Sequence, residues 1–227
     1  MSLAASVARE VIATIRTGLY PLSRLDPMPA PNPRPGLLPV VLVHGFLGHP
    51  DMLRPLERRL LREGFPAVYK VAYPSFGIEV DDILSRIDAV SDTIEGRFHL
   101  VGHSLGGLSS RYWLMDPARA ARVARYVAIG TPFGGTSLYR LVPGKLRHAM
   151  NPRGDVVTAC ARDTPSVPML VIRARHDHQI VPSRRSICEG VEDVVVDGHG
   201  HNALLWATAV HDRVVETLSR PSPDPSG

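Results

Sequence analysis

The sequence predicts an α/β fold, a three-layer sandwich around a mostly parallel sheet of about six strands with a short cap or lid. Near-continuous apolar runs alternate along the chain with segments whose apolar residues recur every three or four positions. The first pattern is typical of parallel strands covered on both faces, and the second is typical of amphipathic helices. A chain of 227 residues with 44% hydrophobic content has the size of one such domain.

The elements follow each other in βα order. Strands are predicted at 38–44, 66–73, 98–103, 124–130, 167–174 and 192–198, and helices at 51–63, 78–95, 105–115 and 202–219. Right-handed crossovers bring the carboxyl ends of parallel strands to one edge of the sheet, where open α/β sheets bind their ligands. Functional side chains are therefore expected directly after the strands.

The chain before the first strand is predicted to be an N-terminal helix and a linker, together residues 1–36. Apolar residues recur at helical spacing up to Leu19, and the proline-rich stretch 27–36 cannot form a helix or a central strand. The helix is expected to cap the domain, although a peripheral membrane contact is the alternative. The main domain is expected at 37–220, with a disordered tail at 221–227.

Charge and composition exclude several classes of function. The formal charge is +4, but the arginines are scattered singly and no aromatic–basic motif accompanies them, so no nucleic acid partner is predicted. Arg9, Glu10 and Arg16 interrupt the first apolar segment, which argues against a secretory signal and a membrane span. A cytoplasmic or peripheral membrane location is expected, with secretion left open. Cys160 and Cys188 allow at most one disulfide, and their pairing and the oligomeric state stay open.

The stretch VGHSLGG (101–107) places a G-x-S-x-G pattern where a predicted strand gives way to a helix. Such a tight turn strains the backbone and crowds the neighbouring residues, so Gly102 and Gly106 are expected to be needed for their lack of a side chain. The turn exposes the Ser104 hydroxyl at a helix N-terminus, where free N–H groups favour a developing anion. Ser104 is therefore the candidate nucleophile.

With this motif the sequence resembles the α/β-hydrolase superfamily, and within it the bacterial lipases and esterases, over roughly 38–219. HGFLG (44–48) is similar to the oxyanion loop of lipases, and GTPFGGT (130–136) is similar to their G-T-P-H-x-G-T stretch with Phe133 in place of histidine. The resemblance implies that the backbone N–H groups of Phe46 and Leu105 form an oxyanion hole. His44 and the 130–136 stretch are interpreted as structural.

An acid is expected after the fifth predicted strand, where RARHDHQIVP (173–182) supplies Asp177. A carboxylate there would fix the tautomer of a histidine and stabilise its charged form. Asp155 and Asp163 are less favoured because they lie before this strand and not at its end. The order serine, aspartate, histidine along the chain is that of the superfamily.

The last predicted strand is followed by two histidines, in DGHGHNALLW (197–206). His201 directly precedes Asn202, which can cap a helix, and HNALL resembles the start of the last helix in lipases. His201 is therefore the candidate general base, and His199 is interpreted as a supporting or surface residue.

The substrate is expected to be a small-molecule carboxylic ester, with lipid or acyl esters favoured. Apolar side chains expected to contact it are Phe46, Leu47, Phe133 and Trp206. Residues 133–166 have room for a lid, but an ordinary packed connection is equally consistent with this segment. The mechanism requires no cofactor and no metal.

Other functions remain open at this point. An acyltransferase or a thioesterase could use the same three residues. A metal-dependent hydrolase is less favoured because its ligand set would explain neither GHSLGG nor HGFLG, although its candidate ligands have the right chemistry: His176, Asp177, His178, His199 and His201. A binding module without activity is disfavoured by the complete set of candidate residues.

Overall fold

Six strands form one parallel sheet in the described part of the chain. The structure is a computed structural model, and it describes residues 3–19, 27–30, 32–163 and 165–221. The strands are β1 (Val40–Val43), β2 (Val68–Val71), β3 (Phe98–His103), β4 (Val123–Ile129), β5 (Met169–Ala174) and β6 (Glu192–Val196). Their order is β2-β1-β3-β4-β5-β6, with every neighbouring pair parallel, which confirms the predicted sheet.

Helices cover both faces of this sheet. They are α1 (Leu3–Gly18), α2 (Arg54–Arg62), α3 (Val80–Ser91), α4 (Leu105–Trp113), α5 (Pro117–Arg122), α6 (Asp155–Arg162) and α7 (Thr208–Ser219). Side chains alternate along β1, so that Val41 and Val43 join one core cluster with α3, α4 and α6, and Val40 and Leu42 join a second cluster with α2 and α7. The predicted three layers are therefore confirmed.

Several helix bounds differ from the sequence predictions. The predicted helix 51–63 begins with a 3-10 helix, Pro50–Leu53, and the predicted helix 202–219 is divided into a 3-10 helix, Asn202–Trp206, and α7. Ala207 separates the last two because its backbone is extended, with φ −80° and ψ 119°. The short helices α5 and α6 were not predicted, because 6 and 8 residues carry too little periodicity to stand out.

The N-terminal helix lies against the domain. It packs on the 3-10 helix Asn202–Trp206 and buries Ala13. Its outer face leaves Val11, Ile12 and Ile15 exposed, and a peripheral membrane contact stays a prediction. Part of the predicted linker and residues 222–227 of the predicted tail lie outside the described residues.

Two further expectations concern the cysteines and membrane spans. Both thiols are free, and burial raises the pKa of Cys160 to about 12, so this thiol stays protonated near neutral pH. Among the helices that the structure describes, none combines the length and the apolar character needed to cross a bilayer.

Candidate active site

Ser104 lies in the turn between β3 and α4. Its φ of 54° and ψ of −124° put a non-glycine residue in the left-handed half of backbone space, which costs on the order of 1–3 kcal/mol. The Ser104 N–H donates to the carbonyl oxygen of Ile129 on β4 at 2.9 Å. The turn is thus anchored to the sheet, and its strain is maintained by the packing around it.

The glycines of this turn have no room for a side chain. A Cβ on Gly106 would lie 2.1 Å from the carbonyl oxygen of His44, and a Cβ on Gly102 would lie 2.5 Å from the Cα of Gly107. Both obstacles are backbone atoms, which cannot rotate away. On the facing loop, a Cβ on Gly45 would lie 2.9 Å from the Cβ of Ser104. The geometry therefore requires glycine at 102 and 106, as the sequence indicated.

The carboxyl ends of β3, β5 and β6 bring Ser104, Asp177 and His201 into one hydrogen-bonded chain. The Ser104 hydroxyl lies 2.8 Å from Nε2 of His201, and Nδ1 of His201 lies 2.8 Å from Oδ2 of Asp177. A carboxylate only accepts hydrogen bonds, so Nδ1 donates to Asp177 and the neutral ring presents Nε2 as an acceptor to the hydroxyl. This is the arrangement in which an imidazole can remove the proton of a serine.

Asp177 is held by its own loop. Its second oxygen, Oδ1, accepts the backbone N–H groups of Gln179 and Ile180, each at 2.8 Å. Burial opposes ionisation of this carboxyl, but the charge and hydrogen bond of His201 and these two N–H groups hold its pKa below the usual range. Asp177 is therefore ionised at neutral pH.

The surroundings of His201 favour a basic imidazole. Burial opposes the charged form, but the negative charge and hydrogen bond of Asp177, with a further contribution from Glu10, raise the pKa of His201 above its ordinary value. The ring of His103 lies 5.0 Å from that of His201, centroid to centroid. Burial lowers the pKa of His103 to about 3, so this neighbour is neutral.

The loop after β1 reaches the same edge of the sheet. Leu47 has a φ of 55°, and its N–H donates to the Ser75 hydroxyl at 2.7 Å, which fixes the turn that contains Phe46. Leu105 is the first residue of α4, so its N–H has no acceptor within the helix. His44 is buried, donates from Nδ1 to the Gly45 carbonyl and stacks on Tyr73, in line with a structural role.

A cavity of about 540 Å³ opens above Ser104. Phe46 and Leu47, two of the residues predicted to contact substrate, are among its lining residues. The 133–166 segment contributes further apolar groups and so forms one wall of the cavity: Leu138, Leu141, Val142, Pro143 and Met150. The rest of this segment is packed in the core, through Leu146 and α6. The segment is therefore divided between a cavity wall and a packed connection, and its action as a lid stays a prediction.

Two residues expected at the substrate lie elsewhere. Phe133 is only 6% exposed and packs in the core cluster with α4 and α6, where it borders a separate cavity beside Cys160. Trp206 lies at the far end of its 3-10 helix and faces Arg9 and Ile12 of α1. Proximity to a strand end in sequence did not indicate the direction of either side chain.

The sequence analysis missed the contribution of the N-terminal helix. Thr14 and Gly18 of α1 line the cavity, and Gln179 and Ile180 enter it from the Asp177 loop. The last two adjoin a predicted site residue, so their position could have been inferred. No local pattern in the sequence indicates where α1 docks.

The histidines of the alternative metal site are not arranged around one point. His201 contacts Asp177 and Ser104, and Nδ1 of His199 donates to the Asp197 carbonyl at 3.0 Å. Within residues 3–19, 27–30, 32–163 and 165–221, no group of three or more histidine, cysteine, aspartate or glutamate residues is placed to hold a metal ion. The donor arrangement thus gives the metal-dependent alternative no support.

Comparison with known proteins gives one family and a consistent fold. A model described as "Alpha/beta hydrolase family" matches residues 40–217. A lipase of Bacillus licheniformis superposes with a TM-score of 0.68 at 13% identity, covering 85% of this chain and 96% of that one. A monoacylglycerol lipase of Paleococcus ferrophilus gives 0.64 at 21%, covering 83% and 95%. A thioesterase domain from the curacin biosynthetic pathway gives 0.59 at 12%, covering 82% and 92%.

Proposed function

Because the chain belongs to the alpha/beta hydrolase family, we propose that it hydrolyses carboxylic esters with apolar acyl groups through a covalent acyl-enzyme. Ser104 is the nucleophile, His201 the general base and Asp177 the residue that orients and stabilises the imidazole. The observation that carries this proposal is the pair of 2.8 Å contacts that joins Ser104 to His201 and His201 to Asp177.

The first half of the reaction forms the acyl-enzyme. Nε2 of His201 takes the proton as Oγ of Ser104 attacks the ester carbonyl, and the carbonyl electrons move onto oxygen. The imidazolium then gives this proton to the leaving alkoxide, so the alcohol departs neutral and the acyl group stays on Ser104. Asp177 stabilises the transient imidazolium and is itself not protonated.

The second half releases the acid. Nε2 of His201 takes a proton from a water molecule as the water oxygen attacks the acyl carbon. The proton then returns to Oγ of Ser104 as the bond between Oγ and the acyl carbon breaks. In both halves the backbone N–H groups of Phe46 and Leu105 hold the oxyanion, and each such donor is worth about 3 kcal/mol of barrier lowering. Leu105 supports this role because its N–H is free of the helix ladder.

The cavity supports an apolar acyl group. Side chains of Leu138, Val142, Met150 and Ile180 line the space above Ser104. The polar residues of the lining, apart from Ser104 itself, are Thr14, His103, Thr136, Gln179, His201 and Asn202. Each methylene that leaves water for such a site gains up to about 0.8 kcal/mol. A medium acyl chain is therefore expected to react more efficiently than acetate.

The nucleophile is tested by labelling with a fluorophosphonate probe and locating the modified residue by mass spectrometry. Modification of Ser104 is the expected result, with none in Ser104→Ala. Modification at another residue, or none in the wild type, contradicts the proposal.

Addition of an alcohol or a thiol to the ester assay measures transfer of the acyl group against its hydrolysis. This measurement separates an ester hydrolase from an acyltransferase.

The acyl preference is tested on p-nitrophenyl esters from acetate to octanoate. We expect kcat/KM to rise at least about tenfold along the series, because part of each methylene is buried. Leu138→Ser should reduce this rise. Leu37→Ser is the matched control. Leu37 packs on the core cluster that contains α2 and α7, and it lies before β1, at the edge of the sheet opposite to the cavity. A steady fall from acetate to octanoate would favour a small-ester esterase.

A further inference from the structure

The N-terminal helix binds the chain directly after His201. One carboxylate oxygen of Glu10 accepts the backbone N–H of Asn202 at 3.0 Å, and the other accepts that of Ala203 at 3.1 Å. These are the first N–H groups of the 3-10 helix Asn202–Trp206, which have no acceptor within that helix. Glu10 therefore caps the element that begins at the candidate base.

Neighbouring contacts extend this attachment along the loop. Nη1 of Arg9 donates to the Gly198 carbonyl at 3.1 Å, and the Asn202 side chain donates to the Thr14 hydroxyl at 3.4 Å. A Cβ on Gly200 would lie 2.5 Å from Oε2 of Glu10, so the helix approaches this closely only because residue 200 is glycine. The loop is thus held by α1 on both sides of His201.

Glu10 also approaches the loop of the candidate acid. Nε2 of Gln179 lies 3.5 Å from Oε1 of Glu10, and the N–H of Gln179 donates to Asp177. One carboxylate of α1 is therefore adjacent to both loops that meet at the His201 ring.

We propose that Glu10 is a positioning residue for His201, so that α1 works as a part of the active site although it lies before the 40–217 family match. The Asp177 contact fixes one ring nitrogen, but the distance from Nε2 to Ser104 also depends on where the backbone at 201 lies. Glu10 fixes that backbone from the C-terminal side. The inference rests on the proposed function, in which His201 is the base.

The charge of Glu10 adds a second effect. The titratable and charged groups that act on His201 are Asp177 from the β5 loop, His103 from β3 and Glu10 from α1. Burial lowers the pKa of His201, and the charges of Asp177 and Glu10 raise it. The base must be neutral to accept a proton, so loss of the Glu10 charge lowers the pKa of His201 and moves the acid limb of activity to lower pH.

The experiment compares two caps. Glu10→Ala removes the carboxylate from the His201 loop. Asp116→Ala removes a carboxylate that accepts the N–H groups of Ala118 and Arg119 at the start of α5. This helix leads into the amino end of β4, away from the site at the carboxyl ends of the strands. Both variants lose a cap of the same kind, and only the first adjoins the site. The readouts are the thermal midpoint, the rate of fluorophosphonate labelling of Ser104 against pH, and kcat and KM for one ester.

For Glu10→Ala we expect the plateau labelling rate and kcat to fall about tenfold, with KM little changed and the acid limb at lower pH. Glu10→Gln keeps one acceptor oxygen without the charge. It should therefore recover part of the labelling rate, while the acid limb stays at the lower pH of Glu10→Ala. Asp116→Ala should lower the thermal midpoint and leave both rates and the limb unchanged.

Two outcomes count against the proposal in different ways. In the first, Glu10→Ala loses thermal stability as Asp116→Ala does, but its labelling rate and the acid limb of its pH profile are unchanged. The role of α1 is then structural only, and this inference is overturned while the proposed function stands. Absence of labelling at Ser104 in the wild type overturns the proposed function, and the role of Glu10 with it.

Discussion

The turn that carries Ser104 and the loop that carries His201 lie at the same edge of the sheet but are held by different means. Ser104 is fixed by contacts within a few residues and by the adjoining strands, with backbone atoms against Gly102 and Gly106. The His201 loop is fixed by Glu10, which lies 192 positions before Asn202 in the chain. One half of the candidate site is held by backbone atoms of the sheet and its loops, and the other depends on side chains of a distant helix.

This difference predicts different responses to change. A turn that is closed by backbone contacts has no soft neighbour to absorb a substitution, since packed interiors resist added atoms. A loop held by side chains of a surface helix can shift when that helix moves, at a small cost in global stability. We therefore expect substitutions in the Ser104 turn to destabilise the protein strongly, and substitutions at the contacts of α1 to shift His201 at little cost in stability.

The largest effect is expected from Ser104→Ala, which tests the rigid half. Loss of the nucleophile should lower kcat/KM by about ten-thousand-fold or more, while the melting temperature stays near that of the wild type because alanine keeps the same strained backbone. Ester hydrolysis and thermal melting measure the two. Retention of more than about one hundredth of the activity would remove Ser104 as nucleophile.

The next effect separates the two histidines of the distant half. His201→Ala should cost as much as Ser104→Ala, because residues that act as a unit fail together. His199→Ala removes only a side chain bonded to the Asp197 carbonyl and should cost at most about tenfold. The kcat/KM values of both variants on one ester decide this. The reverse order of magnitudes would assign the base to His199.

The sequence was sufficient to predict the sheet because buried parallel strands are near-continuous apolar runs, as in β1. It also indicated which residues follow each strand, which is why Ser104, Asp177 and His201 were selected together. Their contacts at 2.8 Å agree with that selection, although their roles remain a proposal.

The directions of side chains and the contacts between distant segments could not be predicted from the sequence. Phe133 and Trp206 follow the right strands but face the core and α1, because a turn or a 3-10 helix of a few residues sets the direction of a side chain. Glu10 appeared only as a charge that interrupts an apolar segment. Its role depends on where α1 docks, which is a tertiary contact without a local signature.

The last comparison adds one methyl group to each half of the site, and the smallest effect on stability is expected in the half that carries His201. Gly106→Ala places a Cβ against the backbone of β1, 2.1 Å from the His44 carbonyl oxygen, and should lower the free energy of unfolding by about 3 kcal/mol or more. Gly200→Ala meets the side chain of Glu10, at 2.5 Å from the carboxylate oxygen Oε2 and 2.8 Å from Cβ, so α1 itself must shift. Displacement of Glu10 and α1 relieves this clash, so the cost should stay below about 1 kcal/mol.

Urea unfolding followed by circular dichroism measures both free energies, and the labelling rate of Ser104 reports on the site. Gly200→Ala should retain its fold and yet lose labelling rate as Glu10→Ala does, since it removes the same cap by pushing it away. A Gly200→Ala protein as destabilised as Gly106→Ala would mean that the His201 loop is as rigid as the serine turn. In that case α1 unfolds together with the core, and the contrast between a half held by backbone atoms and a half held by movable side chains does not hold.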